Sequence, residues 1–160
     1  MIAIEVADLR LPPGVTVPQV RSVCASALAC LDLANYELSV VLCDDAAIRL
    51  LNAEWRGMDK STDVLSFPQN DFPEGPGRPP KGARVLGDIV ISVETATRQA
   101  VEAGIATHSE LAVLLIHGIC HLLGWDHENA EDSAKMRAIE ATLLAGVGET
   151  VPSLIERAGG

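Results

Sequence analysis

Three of the four histidines in this chain fall within eleven residues, in the run His117-Gly118-Ile119-Cys120-His121-Leu122-Leu123-Gly124-Trp125-Asp126-His127. Successive side chains on an α-helix turn by about 100°, so His117 and His121 point the same way to within about 40°. That spacing lets two imidazoles bind one metal ion. Gly124 can take a positive φ, end the helix and turn the backbone, so that His127 swings back towards the other two. Three neutral imidazoles around a divalent ion leave a fourth position for water, the arrangement of a catalytic zinc site. His108 lies nine residues before His117, about 180° round the helix, and is excluded from the group.

The spacing H-x-x-x-H-x-x-G-x-x-H also occurs in the metzincin proteases, which carry a Glu directly after the first His as general base. Gly118 stands there in this chain, so any base must come from elsewhere. Asp126 is a candidate to brace a ligand histidine from behind, or else a turn-forming carboxylate. Cys120 is the nearest thiol and the candidate fourth ligand of a closed, structural zinc site. It points about 60° away from His117 and fits a small core residue better.

The elements that must position these groups follow from periodicity. Ile2 to Val6, Glu37 to Cys43 and Val64 to Phe67 read as strands, as does Val85 to Val93, interrupted by Gly87-Asp88. Val17 to Leu33 is a predicted helix, and Asp44-Asp45 caps another over Ala46 to Trp55, with Ile48, Leu51 and Trp55 on one face. Glu94 to Ala103 is a helix closed by Gly104. Thr107-His108-Ser109-Glu110 fits a capping box opening a helix from His108 to about Leu123. That helix is apolar nearly all round from Leu111 to Ile116, so it is predicted to be buried and central. A last helix covers about Ala130 to Ala145. Residues 68–84, with five prolines among glycines, form a long exposed loop, and the tail over 152–160 is expected to fray. The predicted class is α+β: one mixed sheet of about four strands, helices packed around it, and the metal site at the C-terminal end of the central helix.

Length and composition fit one domain over 1–160, with 48% apolar and 21% charged residues, too apolar for a disordered tail. No apolar run approaches the roughly 20 residues needed to span a bilayer, and no export signal is readable, so a cytoplasmic protein without membrane contact is expected. Its four scattered cysteines then read as reduced thiols. The net charge of −10 argues against broad, non-specific nucleic-acid binding, and five aromatics are too few for extensive base-stacking platforms.

The chain resembles the YbeY family of bacterial endoribonucleases. The histidine run matches that family's H-G-x-L-H-L-x-G-[aromatic]-D-H signature. Three more blocks match in order: Asn52-x-x-Trp55-Arg56, then Lys60-x-Thr62-Asp63-Val64-Leu65-Ser66-Phe67-Pro68, then Leu86-Gly87-Asp88-Ile89-Val90-Ile91-Ser92. Cys120 stands where the family usually has Leu, Ser61 where Pro is common, and Trp55 where Tyr is more usual. The resemblance implies a hydrolase that cuts single-stranded RNA. It implies a part in maturing the 3′ end of small-subunit ribosomal RNA and in ribosome quality control, alongside the small subunit and its maturation factors. It further implies one Zn²⁺ held by His117, His121 and His127, and an arginine at Arg56 that matters for activity.

Phosphodiester cleavage also needs a cation on the developing phosphorane charge, and arginine's planar fork suits phosphate. Six of the twelve basic residues lie between positions 49 and 84: Arg49, Arg56, Lys60, Arg78, Lys81 and Arg84. A local positive groove on an acidic protein is therefore feasible, although most of these six also read as ordinary solvated charges. Arg56 and Lys60 border the Thr62–Phe67 block and are the favoured phosphate contacts. Asp63 and Asp88 are candidate bases or bracing groups, Asp63 the stronger. Ser66 and Asn52 are placed to hydrogen-bond substrate or backbone, and Trp125 to pack the metal turn. Two alternatives stay open: a ribosome-associated factor with a structural zinc, and a metal hydrolase acting on a peptide or ester.

Overall fold

Short aliphatic, β-branched runs build four strands, alternating in exposure in β1 and buried on both faces in β4, and the 3.6-residue period builds five helices. The order in the computed structural model, which describes residues 1–148, is β1 (Ile2–Val6), α1 (Val17–Cys30), β2 (Glu37–Cys43), α2 (Asp45–Arg56), β3 (Val64–Pro68), β4 (Val85–Ser92), α3 (Val93–Ala103), α4 (Thr107–Leu122) and α5 (Ala130–Gly146). The expected frayed tail over 152–160 lies outside the described residues. All nine predicted elements form. The strands make one mixed sheet in the order β1-β2-β4-β3; β1, β2 and β4 run parallel, and β3 pairs antiparallel with β4 at one edge.

Side chains alternate across this sheet, so each face has its own core. Leu38, Val40, Leu42, Ile89 and Ile91 pack with α1, α4 and α5. Cys43, Leu65 and Val90 face the other way, against Ile48 and Leu51 of α2, with Phe67 beside them. Within the first core α4 is central: every residue from Leu111 to Ile116 is buried, as are Ile119, Cys120 and Leu122. Among the described residues no single helix is long and apolar enough to cross a membrane.

Two glycines let backbone and helix approach closely enough to form the site. At Gly87 (φ +141°) a Cβ would sit 2.2 Å from the carbonyl oxygen of Phe67. The interruption predicted there is a bulge rather than a break: β2 slips register so that Glu37 pairs with Val85 and Leu38 with Gly87. On α4, a Cβ at Gly118 would lie 3.0 Å from the Ile89 side chain. The helix therefore rests its Gly118 face directly on β4, and no larger side chain fits between.

Three local expectations need correction. α1 ends at Cys30 rather than Leu33, because Leu31 caps it and Asp32 turns the chain with φ 58°. The capping box at Thr107 does not form. Only Gly104, Ile105 and Ala106 separate α3 from α4, so Ala106 becomes the N-cap, Thr107 is the first helical residue and no side chain caps the end. A capping box does form where none was expected, between Thr16 and Gln19 at the start of α1. Trp55, predicted on the buried face of α2, is 65% exposed; Asn52 is buried on that helix instead.

Candidate metal centre

The last two turns of α4 carry His117 and His121, and the helix ends in a Schellman motif that places the third histidine. Gly124 takes φ +88°. Trp125 donates its N–H to the Cys120 carbonyl at 3.1 Å, and Gly124 donates to His121 at 3.0 Å, the two bonds that define this cap. The reversal sends His127 back over the helix end. Its ring centroid lies 5.3 Å from that of His117 and 5.1 Å from that of His121. One ligand nitrogen from each of the three rings fits within a sphere of mutual distances no greater than 4.8 Å.

Electrostatics favours the ligating form. Burial, reinforced by the neighbouring rings of His117 and His127, lowers the His121 pKa to about 4, so this imidazole is neutral at pH 7. His117 Nδ1 lies 3.3 Å from Glu140 Oε2. A carboxylate oxygen accepts, so Nδ1 carries the proton and Nε2 keeps its lone pair towards the centre. His117 Nε2 is 3.0 Å from His121 Nε2. Two ring nitrogens this close, with a third at hand, fit a shared cation. Cys120 is not part of the group. It is fully buried, and burial, aided by the Glu140 charge, pushes its thiol pKa far up, away from the thiolate a metal needs. His108 lines a separate groove between α1 and α4.

The carboxylate that meets one of the three clustered histidines is Glu140, which the sequence reading missed. Asp126 instead accepts the backbone N–H of Glu128 at 3.1 Å and holds the turn itself. A signal for Glu140 was available. It is buried on α5 in line with Met136, Leu143 and Leu144, an acid on an apolar stripe. Gly118 also explains why no Glu follows the first histidine: that position faces Ile89 and the sheet, and a carboxylate there would be driven into the core.

The histidines open on a cavity of about 570 Å³ that runs along the free edge of β3. Arg56, Lys60, Asp63, Ser66, Trp125 and Asp126 all line it, as does Asn52. Arg56, on the last turn of α2 before the left-handed Gly57, is exposed, as is Lys60. Asn52 donates from Nδ2 to the Lys60 carbonyl at 2.9 Å and pins the turn that carries Lys60. Asp63 Oδ1 accepts the Val64 N–H at 2.7 Å, and its Oδ2 accepts from Gln99 at 3.3 Å. Ser66 Oγ donates to the Gly118 carbonyl at 3.4 Å, a long bond between β3 and α4.

The basic segment does not form one groove. Arg49 is engaged by Asp59, at 2.8 and 3.3 Å. Arg78 and Lys81 line a second cavity beneath the 68–84 loop, together with Tyr36. That loop is mostly exposed, as expected, but it is anchored to the metal turn. The Phe72 ring lies against Gly124, where a Cβ would come within 2.7 Å of it, and Gly77 donates to the Leu123 carbonyl at 2.9 Å. Asp88 is half-buried and does not line the histidine cavity.

Known proteins resemble this chain in fold and in sequence. In fold, the chain is similar to the solution structure of a Thermotoga maritima protein, with a TM-score of 0.64 over 96% of this chain and 99% of that one, at 24% identity. In sequence, it is 52% identical over 124 residues to a Myxococcus xanthus protein named endoribonuclease YbeY. It is 47% identical over 117 residues to one of that name from Bradyrhizobium diazoefficiens, and 51% over 116 to one from Moorella thermoacetica. These matches cover 78%, 73% and 70% of this chain, and 41%, 63% and 73% of those relatives. A family model described as endoribonuclease YbeY matches residues 15–148, from α1 through the end of α5. By that match, and by identity near one half to relatives of that name, this chain belongs to the YbeY endoribonuclease family.

Proposed function

We propose that this chain is a zinc-dependent endoribonuclease that cuts single-stranded RNA. The observation that carries the proposal is the meeting, on one cavity, of three clustered imidazoles with the cations Arg56 and Lys60. The relatives it matches are named for endoribonuclease activity. A donor set of three imidazoles suits zinc. When bound, zinc supplies Lewis acidity at the reacting phosphate and lowers the pKa of water.

The chain's own groups do the rest. Glu140 holds His117 in the tautomer with a bare Nε2, burial keeps His121 neutral, and the Gly124 turn presents His127. Arg56 grips the scissile phosphate with its fork and stabilises the charge that grows on the non-bridging oxygens. Lys60 positions a neighbouring phosphate. Ser66 shifts its weakly held hydroxyl from Gly118 to the substrate. Asp63, a carboxylate of the cavity wall, accepts the proton of the attacking group. Asp126 fixes the turn behind His127. The surrounding charge of −10 repels nucleic acid elsewhere on the surface, so binding concentrates where Arg56 and Lys60 stand.

The motif likeness supports a narrower assignment: cytoplasmic action on precursor ribosomal RNA, at the 3′ end of the small-subunit RNA, in company with the small subunit and its maturation factors. The deciding experiment is cleavage of a labelled single-stranded RNA by purified protein before and after chelation, with zinc then restored, alongside His117→Ala. Activity should vanish on chelation and in the variant, and return with zinc. Cleavage that survives complete metal removal, or persists in His117→Ala, overturns the proposal.

A further inference from the structure

We infer that the indole of Trp55 is a stacking platform for an unpaired base of the RNA strand, an inference that rests on the ribonuclease reading above. Trp55 is 65% exposed, a large apolar surface left in solvent one residue before Arg56, which lines the metal cavity. Phe67 meets it as a T, with ring centroids 5.9 Å apart and planes at 71°. Such a contact steadies the indole and occupies at most one of its faces.

The position relative to β3 gives the ring its role. Ser66 and Phe67 project to opposite sides of that strand. Ser66 bonds α4, the helix of the histidines, whereas Phe67 packs in the α2 layer below Trp55. β3 is an edge strand, and the cavity follows its open side from Asn52 and Arg56 to His117 and His127. A strand of RNA crossing this edge has the histidines on one side and Trp55 on the other. With a phosphate on Arg56, the adjoining base lies over the indole. Every base has a π-face, so the platform is indifferent to sequence, and a base still inside a duplex cannot offer that face. One aromatic beside one cavity-lining arginine thus selects for an unpaired nucleotide without an extended array of rings.

The test is steady-state cleavage of a short fluorescein-labelled single-stranded RNA by the zinc-loaded full chain. Trp55→Ala and Trp55→Leu should each raise KM about tenfold, the usual effect of losing one base–aromatic stack, with kcat changed less than about twofold. Trp55→Phe should keep KM within about threefold, because a smaller aromatic still stacks. Addition of the RNA should quench indole emission in the wild type and quench it less in Trp55→Phe, a readout independent of folding in the Ala variant. Wild-type KM in both Trp55→Ala and Trp55→Leu, or undiminished quenching in Trp55→Phe, overturns the platform while leaving the ribonuclease reading intact. Loss of self-association on sedimentation with KM unmoved also overturns it and assigns the ring to a protein contact. A wild-type protein that neither binds nor cuts RNA overturns the reading beneath it.

Discussion

Replacing Glu140 tests how the His117 ring is held for a metal. Its carboxylate and the His117 ring are nearly enclosed, with side-chain exposures of 8% and 13%, and they meet at 3.3 Å. In Glu140→Leu the Nδ1–H of His117 loses its acceptor, and a buried unmet donor costs about 1–3 kcal/mol. The ring is then free to swap tautomer and turn its proton towards the metal position. Each 1.4 kcal/mol is a factor of about ten, so zinc should bind about ten- to a hundredfold more weakly, the range found for such bracing partners. Glu140→Gln keeps an acceptor but loses the charge, and should fall between wild type and Glu140→Leu. The metal-free protein carries the same unmet donor, so the thermal midpoint of metal-free Glu140→Leu should fall by the equivalent of about 1–3 kcal/mol, less where the ring turns its proton to the cavity. Competition against a chromophoric zinc chelator measures the affinity, and calorimetry the midpoint. Wild-type zinc affinity in Glu140→Leu, with His117→Ala showing the expected loss, would refute the bracing role.

Four further outcomes follow from the geometry. Arg56→Ala should lower kcat/KM for RNA about a hundredfold, the usual effect of losing a donor to developing charge, while Arg49→Ala, already paired with Asp59, should stay within about twofold in the same cleavage assay; equal losses would remove the distinction. Gly87→Ala forces a Cβ to 2.2 Å from the Phe67 carbonyl at φ +141°, so urea titration should show a loss of about 3 kcal/mol or complete failure to fold. Gly124→Ala crowds Phe72 and strains the turn, and should weaken zinc binding together with faster proteolysis within residues 68–84; an intact loop would separate the two. Burial works against the charge on Asp45, but hydrogen bonds from Ser92, Thr95 and Arg98 outweigh it and hold the pKa below the usual carboxylate value. The stability this adds is therefore present above the unfolded value of about 4 and lost as pH falls through the folded one. Asp45→Asn should cost about 1 kcal/mol at pH 7 in urea titrations, a difference that shrinks towards zero near pH 3.

What the residues alone determined is local. The pairing of His117 with His121, the reversal at Gly124 and the return of His127 depend on helix pitch and on one positive φ, both fixed within eleven residues of chain. The central burial of α4 follows from its unbroken apolar run, and the mixed four-stranded sheet from the lengths and alternation of its segments. Even where a local rule failed, at Thr107, the reason was a neighbour: α3 ends so close that Ala106 had to serve as the cap.

The tertiary structure decided whatever joins distant segments. Glu140 reaches His117 across 23 residues of sequence because α5 packs on α4, and nothing in either helix by itself names the partner. The strand order put β3 at the edge, which opened the cavity and brought Arg56 and Lys60 to the histidines while sending Arg78 and Lys81 elsewhere. It also left Trp55 in solvent, although its spacing marked it for the core. Short-range stereochemistry can be read residue by residue, but which surfaces meet depends on the simultaneous packing of all of them, and that is settled only when the chain closes.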